Sequence, residues 1–152
     1  MTKAKDQPFI VVGADGSDAS ILALRWSLEH ARLMGARLLV VTAFNIPWTI
    51  MITPTYTDDD YARDAREMLD RTVLAAIGDS PGVPVETQLI QVRPALALTG
   101  AAHGAELLVV GARGNGELPG LHLGSVASYC MHHAPCPVVV YREPAPTSPN
   151  FE

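Results

Sequence analysis

Residues Gly111–Val126 read G-A-R-G-N-G-E-L-P-G-L-H-L-G-S-V, and those residue types suit one kind of chemistry, the holding of phosphate. Five glycines let the backbone turn tightly and come close to a ligand. The apolar run Glu106–Val110 precedes them, and Val126–His133, which can be helical, follows. A strand, a glycine-rich loop and a helix in that order aim backbone amides at an anion, with the helix dipole behind them. The plainer reading is a surface turn. A second polar turn, Gly13–Ser17, carries Asp15 within Val11-Val-Gly-Ala-Asp-Gly-Ser-Asp-Ala-Ser20. There a carboxylate can accept hydrogen bonds from a ribose or an adenine amino group, or hold Mg²⁺ through water. Asp-Gly is also ordinary turn chemistry, so both readings of Asp15 stand.

Other chemistries are excluded by what the spacing lacks. The glycine loop, Gly-x2-Gly-x9-Gly-Ser, contains no Gly-Lys-Ser/Thr, so the lysine of a P-loop phosphotransferase is missing. It is not G-x-G-x-x-G opening directly into a helix, which argues against a nicotinamide cofactor. Cys130-Met-His132-His133-Ala-Pro-Cys136 places two histidines between two cysteines, but Cys-x5-Cys across a helix end and a proline lacks the paired ligands of zinc sites. The reading for that segment is packing of a helix on the last strand, with no metal. Ser125 has no Gly-x-Ser-x-Gly elbow and His122 no evident carboxylate to orient it, which removes a hydrolase triad. His30 and His103 lie near helix C-termini, where a partly charged ring is favoured. Trp26 reads as a helix-packing residue and Trp48 as the better candidate for an exposed contact.

The elements that must position these residues alternate. Strands are expected at Phe9–Gly13, Leu38–Phe44, Val83–Val92, Leu107–Val110 and Val138–Tyr141, all apolar runs of the kind buried in parallel sheets. The third alternates apolar and polar residues, which suits a place nearer an edge. Helices are expected at Asp18–Met34, between an N-cap at Ser17 and a stop at Gly35; at Asp60–Ile77, ending at Gly78; at Pro94–His103, with proline in its first turn; and at Ser125–His133, stopped by Pro135. The order β-α-β-α-β-α-β-α-β predicts an α/β fold, a doubly wound five-stranded parallel sheet with helices on both faces. Ligands on such sheets bind at the carboxyl ends of strands, where the strand order reverses. If the first and fourth strands are neighbours, the loops holding Asp15 and Gly111–Gly124 meet in one crevice. Asn45–Thr57 is a long connection of the kind that forms lids or binding edges.

With 152 residues, 48% of them apolar and 18% charged, the chain is expected to be one globular domain at residues 8–142. Residues 1–7 read as a flexible N-terminus, and Glu143–Glu152, with three prolines, as a disordered tail. The net charge of −5 argues against a nucleic-acid surface. The first apolar run, Phe9–Val12, is too short for a signal peptide or a membrane span, so a cytoplasmic protein without membrane contact is expected. Two cysteines make no disulfide framework.

Three segments together carry a resemblance: Val-Val-Gly-Ala-Asp-Gly-Ser-Asp-Ala-Ser near the start, the Gly-x2-Gly-x9-Gly-Ser loop, and His-His-Ala-Pro-Cys-Pro-Val-Val-Val near the end. The chain resembles the universal stress protein family, in its nucleotide-binding branch, from Pro8 to about Arg142. The resemblance implies strand order 3-2-1-4-5 and a protein that binds ATP, with or without Mg²⁺, as a stress-response sensor rather than an enzyme. It implies that Ala14 and Asp15 contact adenine or ribose and that Ala43 offers a backbone contact to the adenine edge. Gly111 and Gly114 would approach ribose and phosphates, and Gly124, Ser125 and Val126 would bind phosphate. Arg113 would reach phosphate or cap the loop. A homodimer through the C-terminal strand is implied as well. Departures from the family pattern are Asn115, Glu117 and Pro119, where residues are often small or basic, and Ala127, where a serine or threonine is common. Glu117 sets a negative charge near a polyphosphate. Alternatives are AMP or cyclic AMP as the ligand, a slow ATPase, and a nucleotide-free interaction module.

Overall fold

The structure is a computed structural model that describes residues 6–46, 56–114 and 123–143. Nine elements alternate: β1 (Phe9–Gly13), α1 (Asp18–Met34), β2 (Arg37–Phe44), α2 (Asp58–Ile77), β3 (Val85–Gln91), α3 (Pro94–Ala101), β4 (Leu107–Gly111), α4 (Ser125–His133) and β5 (Val138–Tyr141). The five strands form one parallel sheet in the order β3-β2-β1-β4-β5. The alternating strand β3 lies at one edge and β5 at the other, as the patterning of β3 predicts.

Alternate residues along each strand face opposite layers, and this builds two cores. Ile10 and Val12 of β1, Leu38 and Val40 of β2 and Val109 of β4 pack under α1 and α2, with Leu24, Leu28 and Leu69. Val11, Leu39, Val41, Leu108 and Val110 pack on the other side under α3 and α4, with Leu98, Ala127 and Cys130. Their neighbours Cys136 and Val138 close the second core, so the cysteine–histidine segment packs α4 on β5 as expected. Both cysteines are free thiols, and among the described residues no group of three or more His, Cys, Asp or Glu is gathered. No described helix is long and apolar enough to cross a membrane.

The element ends are set by local chemistry. The Ser17 side chain accepts the Ser20 N–H at 3.1 Å, and Gly35 closes α1 in the left-handed region at φ 64°. Helix α2 begins at Asp58 rather than Asp60 because Thr57 is its N-cap in a capping box. Thr57 accepts from the Asp60 N–H, and the Asp60 carboxylate accepts from the Thr57 N–H at 2.8 Å. Strand β3 is shorter than Val83–Val92: Pro84, which has no N–H to give a ladder, stands just before its first residue. Helix α3 ends at Ala101, and Gly104 turns the chain into β4 at φ 81°. Trp26 packs against the first core and stacks on His30, with ring centroids 3.6 Å apart.

Candidate functional site

The carboxyl ends of β2, β1 and β4 surround a cavity of about 300 Å³. The strand order reverses at β1, whose neighbours are β2 and β4, so the two polar loops do meet in one crevice. Of the residues singled out in the sequence, Ala14, Asp15, Ala43, Gly111, Arg113, Gly114, Gly124 and Val126 all line this cavity. Ser125 does not. It is the first residue of α4 and is exposed. Asn115, Glu117, Pro119 and His122 lie outside the described residues, as do Trp48 and the tail from residue 144.

Two loops are locked to each other around Asp15. Ala14 continues past β1 by donating its N–H to the Val41 carbonyl at 2.9 Å, while its own carbonyl accepts the buried Thr42 hydroxyl at 2.7 Å. With both backbone groups committed, Ala14 presents mainly its methyl group and its carbonyl's second lone pair. The chain then turns through Gly16, at φ 83°. Asp15 Oδ1 accepts from the Ser17 N–H at 3.0 Å and from the Ser17 hydroxyl. Oδ2 points at the other loop. A Cβ built on Gly114 would lie 2.6 Å from it, closer than side chains tolerate, so Gly114 is needed for the carboxylate to sit where it does.

The far end is formed by the start of α4. The Gly124 N–H donates to the Ala112 carbonyl at 2.6 Å, and the Ala112 N–H donates to Tyr141 at 2.8 Å. This ties the returning loop to β4 and β5. Gly124 is the N-cap of α4, and no side chain caps the helix. Val126 and Ala127 follow in the first helical turn, where backbone amides have no intrahelical acceptor. Val126 and Ala127 line the cavity. Arg113 lines it too, is exposed, and makes no hydrogen bond or ion pair among the described residues.

The opposite end is apolar, and most of it was not foreseen. Val41 and Ala43 of β2 form its floor, Met68 of α2 stands on one side, and Pro94 and Leu98 of α3 on the other. Met68 and Leu98 belong to different layers of the sandwich and meet only at the sheet's edge. No local pattern links them, and Met68 reads in sequence as one more apolar residue of an amphipathic helix. Ser17 and Ser20 complete the lining beside Asp15.

A model of the universal stress protein family matches residues 9–142. The chain belongs to this family. A universal stress protein from Thermus aquaticus is 37% identical over 88% of this chain and 97% of its own length. One from Mycolicibacterium smegmatis is 32% identical over 92% of this chain, but the chain spans about half of that relative's length, 50%. Among solved structures, the universal stress protein from Archaeoglobus fulgidus in complex with dAMP is 26% identical, with TM-score 0.62 over 88% of this chain and 96% of that one. A universal stress protein in complex with cAMP is also 26% identical, with TM-score 0.59 over 90% and 97%.

Proposed function

We propose that this universal stress protein binds an adenine nucleotide, ATP foremost, in the cavity at the ends of β2, β1 and β4. The observation that carries the reading is the division of that cavity into an apolar slot at β2 and an anion cradle at β4 and α4, with one carboxylate between. The ends of β2 and β4 are two strand spacings apart, about 10 Å, which suits a nucleoside laid across the sheet's edge. The base would rest on Val41 and Ala43, between Met68 and the pair Pro94 and Leu98. Asp15, following the middle strand, would accept from the ribose hydroxyls. The α4 amides and Arg113 would take the phosphates, as dipole and cation at a helix start do for anions. Two relatives solved with dAMP and cAMP support an adenine ligand. They also favour a second reading, a monophosphate such as AMP or cyclic AMP.

Among the described residues the titratable side chains on the lining are Asp15 and Arg113, and on this reading Asp15 stands at the sugar rather than beside a terminal phosphate. Among the described lining residues no general base stands beside the phosphate position, which supports reading the protein as a binding module rather than an enzyme. Magnesium accompanying ATP would be held by phosphate oxygens and water. Among the described residues, strand β5 pairs with β4 on one side and with no strand on the other. A homodimer joined through that edge would couple nucleotide occupancy to assembly, because the Tyr141 carbonyl holds the Ala112 N–H of the phosphate loop. On this reading the protein is a cytoplasmic stress-response sensor. Mass spectrometry of the small molecules released from freshly purified protein tests the ligand. An adenine nucleotide at near one per chain is expected, and none, with no uptake on later incubation with ATP, AMP or cyclic AMP, overturns the reading.

A further inference from the structure

Met68 is a half-buried thioether on the wall of the apolar slot. It comes from α2, which packs against β2 and β3, so it stands at the end of the cavity farthest from α4. Across from it, Pro94 and Leu98 arrive from the other layer. A flat ring between them would have the sulfur on one face, a contact that polarisable sulfur makes favourably. The sulfur also lies beside a buried hydroxyl. The buried Thr72 hydroxyl donates to the Met68 carbonyl at 2.7 Å and lies 3.5 Å from Sδ.

We propose that Met68 is the side chain that selects for a flat base in this slot, and that oxidising its thioether to the sulfoxide empties the slot. The inference rests on the nucleotide reading above. The chemistry is two-electron oxygen transfer from a peroxide: the O–O bond breaks, one oxygen bonds to Sδ, and the other leaves as water. The sulfur is oxidised and the peroxide reduced. The new oxygen is a strong acceptor, yet the single proton of Thr72 is already given to the Met68 carbonyl. The sulfoxide must then draw water from the cavity, where the base would lie, or be buried under the ring without a donor. Either way base binding is penalised while the two cores are untouched.

The test uses the full chain, hydrogen peroxide and AMP. Peptide mapping follows Met68 against Met131, which is exposed on α4 and serves as an internal reference. Met68 should oxidise in the free protein and be protected relative to Met131 when AMP is bound. Affinity for AMP should fall about tenfold or more once Met68 is the sulfoxide. In Met68→Leu, whatever its starting affinity, peroxide should leave affinity unchanged, whereas Met131→Leu should respond as the wild type does. Met68→Gln, never oxidised, should bind weakly with an unchanged melting temperature, which separates loss of the slot from loss of the fold. Equal oxidation rates with and without AMP, or an oxidised wild type that binds AMP as before, overturn the proposal. Failure of the unoxidised wild type to bind any adenine nucleotide would instead overturn the reading on which it rests.

Discussion

Gly114→Ala separates the crevice from an ordinary surface turn. The added methyl carbon would stand 2.6 Å from Asp15 Oδ2, so about 0.8 Å must open between the two loops before ordinary contact is restored. Swinging the carboxylate away is opposed by its other oxygen, which accepts from the Ser17 N–H at 3.0 Å and from the Ser17 hydroxyl, bonds that rotation would strain. A shift of that size moves either the Asp15 carboxylate, proposed above to accept from the sugar, or the Arg113–Gly114 backbone, proposed to face the phosphates. Losing one hydrogen bond to a charged group costs about 1.5–3 kcal/mol, which is about ten- to hundredfold in affinity. Neither core is disturbed, so the melting temperature should move by no more than about 4 °C. The control is Gly100→Ala, in α3 and outside the lining. Its Cβ would meet nothing within 4 Å, and affinity should be unchanged. Calorimetric titration of both variants with AMP and ATP, beside thermal melts, reads the difference. Wild-type affinity in Gly114→Ala, or equal losses in both variants, would refute the assignment of Asp15 and Gly114 to one site.

Three further outcomes follow from the same structure. Gly100 lies within α3 with nothing within 4 Å of a built Cβ, so Gly100→Ala should stabilise the protein by about 0.5–1 kcal/mol in denaturant unfolding, and a loss of stability would contradict the helical assignment there. The Asp60 carboxyl is held below its ordinary 3.8 first by the Thr57 N–H, then by the Thr57 hydroxyl and Arg63. A lowered pKa in the folded state gives stability that is present above 3.8 and lost as pH falls through the lower folded value; Asp60→Asn should flatten that acid limb, and an unaltered pH profile would contradict the capping box. Burial pushes the Cys130 thiol up to about 11, and burial raises Cys136 as well. Native protein at pH 8 should therefore alkylate slowly at Cys130 and become fully reactive only on unfolding, whereas rapid native labelling of Cys130 would place it outside the second core.

Fold and site were readable to different depths. Strands β1 and β5 and helices α1 and α4 end where the residues themselves say, because a proline or a capping residue stops each helix and Gly13 or an apolar run bounds each strand. The start of α2 needed the pairing of Thr57 with Asp60 to be recognised three residues apart, since the run of three aspartates alone does not say where the helix begins. Within the site, the glycine loop and Asp15 announce themselves by type and spacing, for their chemistry is local. The apolar slot does not. Met68, Pro94 and Leu98 are ordinary helix residues until two layers bring them to the end of β2. The approach of Gly114 to Asp15 spans two loops, and only the pairing of β1 with β4 creates it. Ser125 is a motif position that is exposed at the start of α4 and not among the lining residues.

The central claim is that the crevice at the ends of β2, β1 and β4 is a nucleotide site. Isothermal titration of the purified, nucleotide-stripped chain with ATP tests it most directly. A saturable heat near one nucleotide per chain, much weakened in Gly114→Ala, is the predicted result. No heat and no thermal shift at millimolar ATP or AMP would contradict it.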